Sequence, residues 1–169
     1  MAKSDSFFIR VDVTETAANT YTETGVDLGA YVDALGKSVL RIHNIAVAVT
    51  DKDGKSPDGS VGSAAAQFQL LTQSQVGTGI VLASNRSIVA SGLVNCYFPS
   101  AGVASIVSDE FDNMPQLWTN GYLIAVDQMF LGFQSSAGFT DDLTCSIVME
   151  CTVETMTQAA AMALALSQQ

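Results

Sequence analysis

Apolar and polar residues alternate along several segments of the chain, and a period of two predicts half-buried β-strands. The alternation is regular at 7–15, where every second residue from Phe7 to Val13 is apolar. It returns at 38–50 and at 144–155. Apolar runs bounded by Gly, Ser, Asn or Pro predict further strands at 66–73, 79–84, 86–98 and 103–108. The apolar and aromatic segments 120–127 and 128–134 could together form one long bent strand.

The alternation changes phase once, within the segment at 38–50. Leu40 and Ile42 point to one face, and the apolar set then continues from Ile45 instead of from residue 44. One extra residue would cause this shift, because a strand that gains a residue turns its later side chains over. The pattern therefore predicts a β-bulge near Asn44.

The remaining segments favour turns and one helix. Loops are predicted at 51–59 and 109–118, and a single helical turn at 28–35 ends at Gly36. A C-terminal helix is predicted over about 156–166, because Ala, Leu and Met dominate there. Thr155 is its expected cap.

Short strands without helices between them predict an all-β sandwich or barrel. The chain has 169 residues, with no fixed-period repeat and no linker. We therefore expect a single domain over 1–169.

Charge is scarce and unevenly placed. Charged residues make up 14% of the chain, the formal net charge is −10, and no Lys or Arg follows Arg86. Binding nucleic acid requires a basic surface that displaces phosphate counterions, which the second half of the chain cannot supply. An anionic membrane surface is disfavoured for the same reason.

The sequence shows no targeting signal. Its first residues lack the apolar run of a secretory signal, and its longest apolar run, at 159–166, is too short to span a membrane. Synthesis in a cytoplasm is the expectation. The three cysteines, Cys96, Cys145 and Cys151, are expected to be buried free thiols, since two of them lie six residues apart on one strand.

Catalytic chemistry finds no support in the sequence. His43 is the only histidine, so a histidine-rich metal site or a cupin-type enzyme is excluded by count. No nucleophile elbow and no phosphate-binding glycine motif is present. We expect no enzyme activity and no cofactor.

One loop has a spacing that suits a hard cation. Asp51 and Asp53, and then Ser56 and Asp58, place side-chain oxygen atoms at alternate positions, as in a calcium loop. The glycine falls at position four instead of six, and position twelve is Gly62 instead of Glu. The alternative is a plain surface turn.

Aromatic residues offer a second candidate site. Trp118, Tyr122, Phe130 and Phe133 could form a carbohydrate platform, or they could be core and loop anchors of a β domain.

The chain resembles the single jelly-roll capsid proteins of icosahedral viruses, especially the small major capsid proteins of membrane-containing bacterial and archaeal viruses. The stretches that carry the resemblance are VLRIHNIAVAVT at 39–50, followed by a polar loop, and GYLIAVDQMFLGF at 121–133. A final strand at 143–154 then runs into the Ala-rich tail at 156–166. The resemblance covers most of the chain.

This resemblance implies an eight-stranded jelly roll of two four-stranded sheets and a structural role in a virion. The subunit would associate with itself, and possible companions are a second capsid protein and an enclosed membrane. Many capsid proteins carry basic arms that hold the genome, and this chain has none, so no direct contact with nucleic acid is expected. The helix at 156–166 is either an inter-subunit or shell-facing element or packs across the open end of its own barrel.

A binding module is the alternative function. A β-sandwich of a spike or adhesion domain would recognise a glycan or calcium through exposed aromatics and nearby acids.

Overall fold

The computed structural model describes residues 4–33, 37–101 and 106–168, which form two antiparallel sheets, a short 3₁₀ helix and one α-helix. The strands are β1 (Phe7–Thr14), β2 (Thr22–Asp27), β3 (Ser38–Asp51), β4 (Gly62–Leu71), β5 (Ile88–Phe98), β6 (Ile106–Asn113), β7 (Tyr122–Ile124), β8 (Gln128–Ser135) and β9 (Leu143–Thr155). The 3₁₀ helix is Pro115–Leu117, and helix α1 is Gln158–Ser167.

The strand order defines the fold. The first sheet has the order β1-β9-β3-β7, and the second has the order β2-β8-β4-β5-β6. Without β6, each sheet has four strands, and their interleaved order is that of an eight-stranded jelly roll. The expected fold class is therefore confirmed, and β6 extends the second sheet at its edge.

The core lies between the two sheets. Alternate residues of β1, β3 and β9 face it from the first sheet, as their period of two requires. The largest fully buried side chains include Phe68 and Phe133 from the second sheet and Leu40, Ile42 and Ile124 from the first. All three long alternating segments of the sequence are therefore strands of the core.

The predicted bulge in β3 is confirmed. Ile42 pairs with Cys151 and Asn44 pairs with Glu150, so His43 is the extra residue of the bulge. After the bulge, Ile45 faces the core and is buried.

Gly121 lies beside this bulge, where β7 begins. Its φ is +63°, and a Cβ atom there would collide with the carbonyl oxygen of Ile42. Only glycine combines this left-handed backbone with so close an approach to a neighbouring strand. Gly121 therefore lets β7 pair with β3 next to the bulge.

Two strand predictions are wrong. The apolar segment at 79–84 is a loop outside both sheets, and the segment at 120–134 is two strands instead of one. β7 lies in the first sheet and β8 lies in the second, so the chain crosses the sandwich at 125–127. Apolar periodicity does not reveal the crossing, because both strands bury side chains in the same core.

Several boundaries also differ. The predicted loop at 109–118 starts only after β6, since the backbone pairs with β5 as far as Asn113. The predicted strand at 103–108 appears as part of β6, and its residues 103–105 lie outside the described residues. The turn at 28–35 is a helical turn at Leu28, whose carbonyl accepts from the N–H of Val32; residues 34–36 lie outside the described ones.

The C-terminal helix is present but starts later than predicted. Thr157 is its cap, and its Oγ1 accepts from the N–H of Ala160 at 3.3 Å. Thr155 cannot cap the helix, because it is still paired in β9 with Ser38.

Candidate assembly surfaces

Helix α1 packs on the outer face of the first sheet. Val39 lies next to the core residue Leu40 on β3 and points to the opposite face, where it forms a small apolar cluster with Ala125, Ala161 and Ala165. Small side chains on both elements let the helix approach the sheet closely. The segment therefore packs on its own domain, but on the outer face of a sheet instead of across the open end of the barrel.

Hydrogen bonds of Gln168 hold the end of the helix on the sheet. Its Oε1 accepts from the N–H of Ala125 at 3.0 Å, and its Nε2 donates to the carbonyl of Leu123 at 2.6 Å. Its own carbonyl accepts from the hydroxyl of Thr72 at 2.6 Å. Gln168 is 3% exposed, so these bonds form away from water and hold the helix in one position.

The opposite face of α1 is apolar and uncovered. Met162 is 42% exposed and Leu166 is 68% exposed. The helix carries no charged residue. A surface helix of this kind normally presents charged side chains to water, so this face has the character of a contact surface.

Exposed apolar side chains also occur on loops around the molecule. The exposed large hydrophobic residues are Phe8, Tyr31, Val61, Val76, Leu82, Tyr97, Leu117, Trp118, Met162 and Leu166. They lie on β1, on the loops after β2, β3, β4 and β6, on β5, and on α1. The set is therefore spread over several sides instead of forming one patch.

The long loop between β4 and β5 crosses the outer face of the second sheet. The amide of Gln69 binds Val81 in both directions, since Val81 N–H donates to Oε1 at 3.0 Å and Nε2 donates to the Val81 carbonyl at 2.6 Å. Glu23 holds the start of the loop by accepting from the N–H of Gln75 at 2.9 Å and from the hydroxyl of Ser74. The loop is thereby fixed while Leu82 remains 80% exposed.

Glu23 also accepts from the hydroxyl of Tyr21 at 3.1 Å. Burial, with a contribution from the charge of Glu23, raises the pKa of Tyr21 well above its usual value. Tyr21 therefore remains a neutral hydrogen-bond donor.

A polar cluster lies beside the bulge on the outer face of the first sheet. Arg41 donates to both carboxylate oxygens of Glu154, at 2.7 and 2.8 Å, and also to the carbonyl of Asn120. The bond to Glu154 raises the pKa of Arg41 above its usual value. His43 and Thr152 share a hydrogen bond of 2.9 Å. His43 is thus a hydrogen-bonded strand residue, as the sequence favoured.

The cysteines are free and buried, as predicted. Burial raises the pKa of Cys145 to about 12, and burial together with the nearby Glu150 raises the pKa of Cys151 to about 12. Both are neutral thiols of the core near neutral pH, since the reactive thiolate is not formed there.

The calcium loop does not assemble a carboxylate site. Oδ1 of Asp51 accepts from the N–H groups of Asp53 and Lys55 at 2.9 and 2.7 Å, so Asp51 stabilises its own turn. Asp53 forms an ion pair with Lys55 at 3.6 Å. Asp58 has one buried oxygen without a hydrogen-bond partner. Within residues 4–33, 37–101 and 106–168, no three His, Cys, Asp or Glu side chains are placed to hold a metal. Calcium binding rests on sequence spacing alone.

The four aromatic residues do not form a platform. Phe133 is fully buried in the core, and Phe130 lies on β8 in the sheet opposite to Tyr122. Trp118 is 53% exposed on the loop before β7. These residues therefore belong to the core and to a loop, and do not share one surface.

The described helix is too short to cross a membrane.

The strand order places the chain in the class of jelly-roll proteins. No protein-family model matches the chain, and no curated protein matches it. Similar solved structures include VP1 of Trichodysplasia spinulosa-associated polyomavirus in complex with GM1 oligosaccharide, at 9% identity, with 89% of this chain and 96% of that chain covered and a TM-score of 0.45. Another is Desmodium yellow mottle tymovirus, at 10% identity, with 89% and 87% covered and a TM-score of 0.41. Both come from viruses. Since these scores are low, the fold assignment rests on the strand order of the chain itself.

Proposed function

We propose that the chain is a capsid subunit that forms an icosahedral viral shell through repeated subunit–subunit contacts. The observation that carries this proposal is the spread of exposed apolar side chains over several sides of a jelly roll that already has its own buried core. A shell subunit contacts several neighbours at once, so it needs several such surfaces.

The two rival functions would leave different surfaces. A glycan- or calcium-binding module needs one cluster of exposed aromatics or carboxylates, whereas Phe133 is buried in the core and Asp51 is engaged in its own turn. An enzyme needs a cleft with titratable groups of shifted pKa. The shifted thiols, Cys145 and Cys151, are instead inert and buried in the core. A structural, non-enzymatic role accounts for these features without a cofactor.

The charge distribution supports a shell that does not touch the genome. The formal net charge is −10 and no basic residue follows Arg86. We infer that a membrane or a second capsid protein lies between this subunit and the nucleic acid, as in membrane-containing bacterial and archaeal viruses. The subunit would be made in the host cytoplasm, fold as one domain over 1–169, and end in the virion.

Electron microscopy of the purified chain tests this function. The expected result is closed particles or curved sheets of regular spacing. Leu166→Asp places a charge on the exposed face of α1 and should reduce particle yield at least several-fold, because an unpaired charge at a contact is costly. Ser167→Asp is the matched control, since this exposed neighbour lies off the apolar face. Particles insensitive to Leu166→Asp would exclude α1 as a contact, and a chain that never assembles would contradict the function.

A further inference from the structure

The outer edge of β3 is open along a short stretch between two closed positions. β7 pairs with β3 only at residues 40–42. Beyond the bulge, Gln116 closes the edge at Ile45: the Ile45 N–H donates to Oε1 at 3.2 Å, and Nε2 donates to the Ile45 carbonyl at 3.1 Å. At the far end, the Asp51 N–H donates to the carbonyl of Lys55 at 2.9 Å.

Val47 and Val49 lie between these two closures. Backbone groups of alternate strand residues point to the same edge, so Val47 and Val49 direct their N–H and C=O groups outward as Ile45 and Asp51 do. No described strand, loop or side chain pairs with them on that side. An unpaired edge of this kind is a template for a further strand.

A slot lies beside this open edge, between the two sheets. Its volume is about 280 Å³, and its other walls are formed by Ser56, Pro57, Val94 and Phe111. The lining contains no charged side chain. Backbone donors and acceptors on one wall and uncharged side chains on the others suit an extended, uncharged peptide.

The chain carries a segment of that chemistry elsewhere. Residues 79–84 (GIVLAS) have the composition of a strand, yet they lie outside both sheets on the outer face of the second one. Gln69 occupies both backbone groups of Val81, and the carbonyl of Leu82 accepts from Asn85. The N–H and C=O of Ile80 and the N–H of Leu82 have no described partner.

We propose that residues 79–84 of one copy add as a short strand to the edge of β3 at residues 47–49 of a second copy. Ile80 and Leu82 would supply the backbone partners of Val47 and Val49, and the side chain of Leu82 would enter the slot. The inference deepens the proposed capsid function and rests on it. Because the two surfaces are different parts of the chain, the contact is head-to-tail, and repetition generates closed rings or extended arrays.

Hydrogen exchange of the β3 amides tests the contact in assembled particles. Val47 and Val49 should exchange rapidly in the dissociated chain and at least tenfold more slowly in particles, because a new strand protects their N–H groups. Particles in which these amides still exchange rapidly would overturn the inference and leave the capsid function standing.

Two matched variants identify the occupant of the edge. Leu82→Asp should abolish the protection at Val47 and Val49 and lower particle yield, whereas Thr78→Asp should leave both unchanged. Both residues are exposed on the same loop, and Thr78 lies outside the exposed apolar set, so both variants should fold. Protection that persists in Leu82→Asp particles would mean that another segment or protein fills the edge, and would overturn the proposal.

A peptide experiment covers the case of a chain that does not assemble. A synthetic peptide of residues 78–85 is titrated to millimolar concentration into the monomeric chain and followed by amide NMR shifts. Saturable shifts confined to 45–50 and the slot residues support the contact even if the capsid function has failed. Absence of such shifts overturns it.

Discussion

The side chain of Gln168 takes the place of a neighbouring β-strand for Leu123. Its amide donates to the carbonyl of Leu123 at 2.6 Å and accepts from the N–H of Ala125 at 3.0 Å, which are the two bonds that a strand residue would form at that edge. A primary amide can do this because it presents one acceptor and one donor side by side, as a peptide unit does.

The same arrangement occurs twice more in the described structure. Gln116 binds both backbone groups of Ile45, and Gln69 binds both backbone groups of Val81. Glutamine amides thus close sheet edges and fix a loop at positions where no strand is available. Within the described residues, no glutamine amide closes the edge of β3 at Val47 and Val49.

Gln168→Ala should lower the free energy of unfolding by about 2 kcal/mol, since two buried hydrogen bonds are lost and their backbone partners stay buried. Urea denaturation measures the change. Ser167→Ala, on the exposed side of the same turn, should change stability by less than about 0.5 kcal/mol. Equal effects of the two variants would show that Gln168 does not anchor the helix.

Gly121→Ala should destabilise the fold by more than Gly54→Ala does. Both glycines have positive φ, +63° and +79°, so both variants carry the backbone strain of about 1 kcal/mol. Gly54 has open space around its Cβ position, whereas Gly121 faces the carbonyl of Ile42. The difference between the two midpoints in urea therefore reports the collision at the bulge. Identical midpoints would contradict the close approach of β7.

Glu154→Gln should lower the free energy of unfolding by about 1.5–3 kcal/mol, because Arg41 would lose a bidentate charged partner in a half-buried position. The comparison is Lys52→Gln, which removes an exposed ion pair with Asp141 at 3.7 Å. Lys52→Gln should change the free energy of unfolding by less than about 0.5 kcal/mol. Thermal unfolding at two salt concentrations measures the stability of both variants. A larger loss of stability in Lys52→Gln than in Glu154→Gln would contradict the assigned role of the Arg41–Glu154 pair.

Stability should fall as the pH rises from about 9 toward 12. The folded-state pKa values of Cys145 and Cys151 are raised from 9.0 to about 12, so the unfolded chain loses these protons first. The unfolded state then binds fewer protons than the folded state, and the slope of unfolding free energy against pH is negative in this window. Their contribution is fully present below about pH 9.

Urea midpoints at several pH values from 7 to 11 measure this decline. Cys145→Ala lowers the starting stability by creating a cavity, but its decline with pH should be shallower than that of the unsubstituted chain. The raised pKa of Tyr21 acts in the same direction and is removed by Tyr21→Phe. An unchanged slope in Cys145→Ala would contradict a buried neutral thiol at that position.

The sequence reveals the strands that have one face in the core and one in water. β1, β3 and β9 alternate with period two, and the phase shift in β3 predicts a bulge near Asn44, one residue from the extra residue His43 in the register. Each of these features is local, because the alternation of buried and exposed side chains in a strand is visible in consecutive residues of the sequence.

The features that the sequence conceals depend on distant partners. Gln168 is 45 residues from Leu123, and no local pattern marks it as an edge closure. The segment at 79–84 has the composition of a buried strand, so its exposure at Leu82 emerges only from the fold. The crossing between β7 and β8 is hidden for a related reason, since both strands face one core.

The most direct test of the capsid assignment is the mass of the purified chain in solution, measured by light scattering across protein and salt concentration. The monomer mass is 17.7 kDa. The assignment predicts a discrete species of many subunits, whose amount rises with protein concentration. A species that stays at the monomer mass under every condition, including in the presence of the other virion proteins, would contradict it.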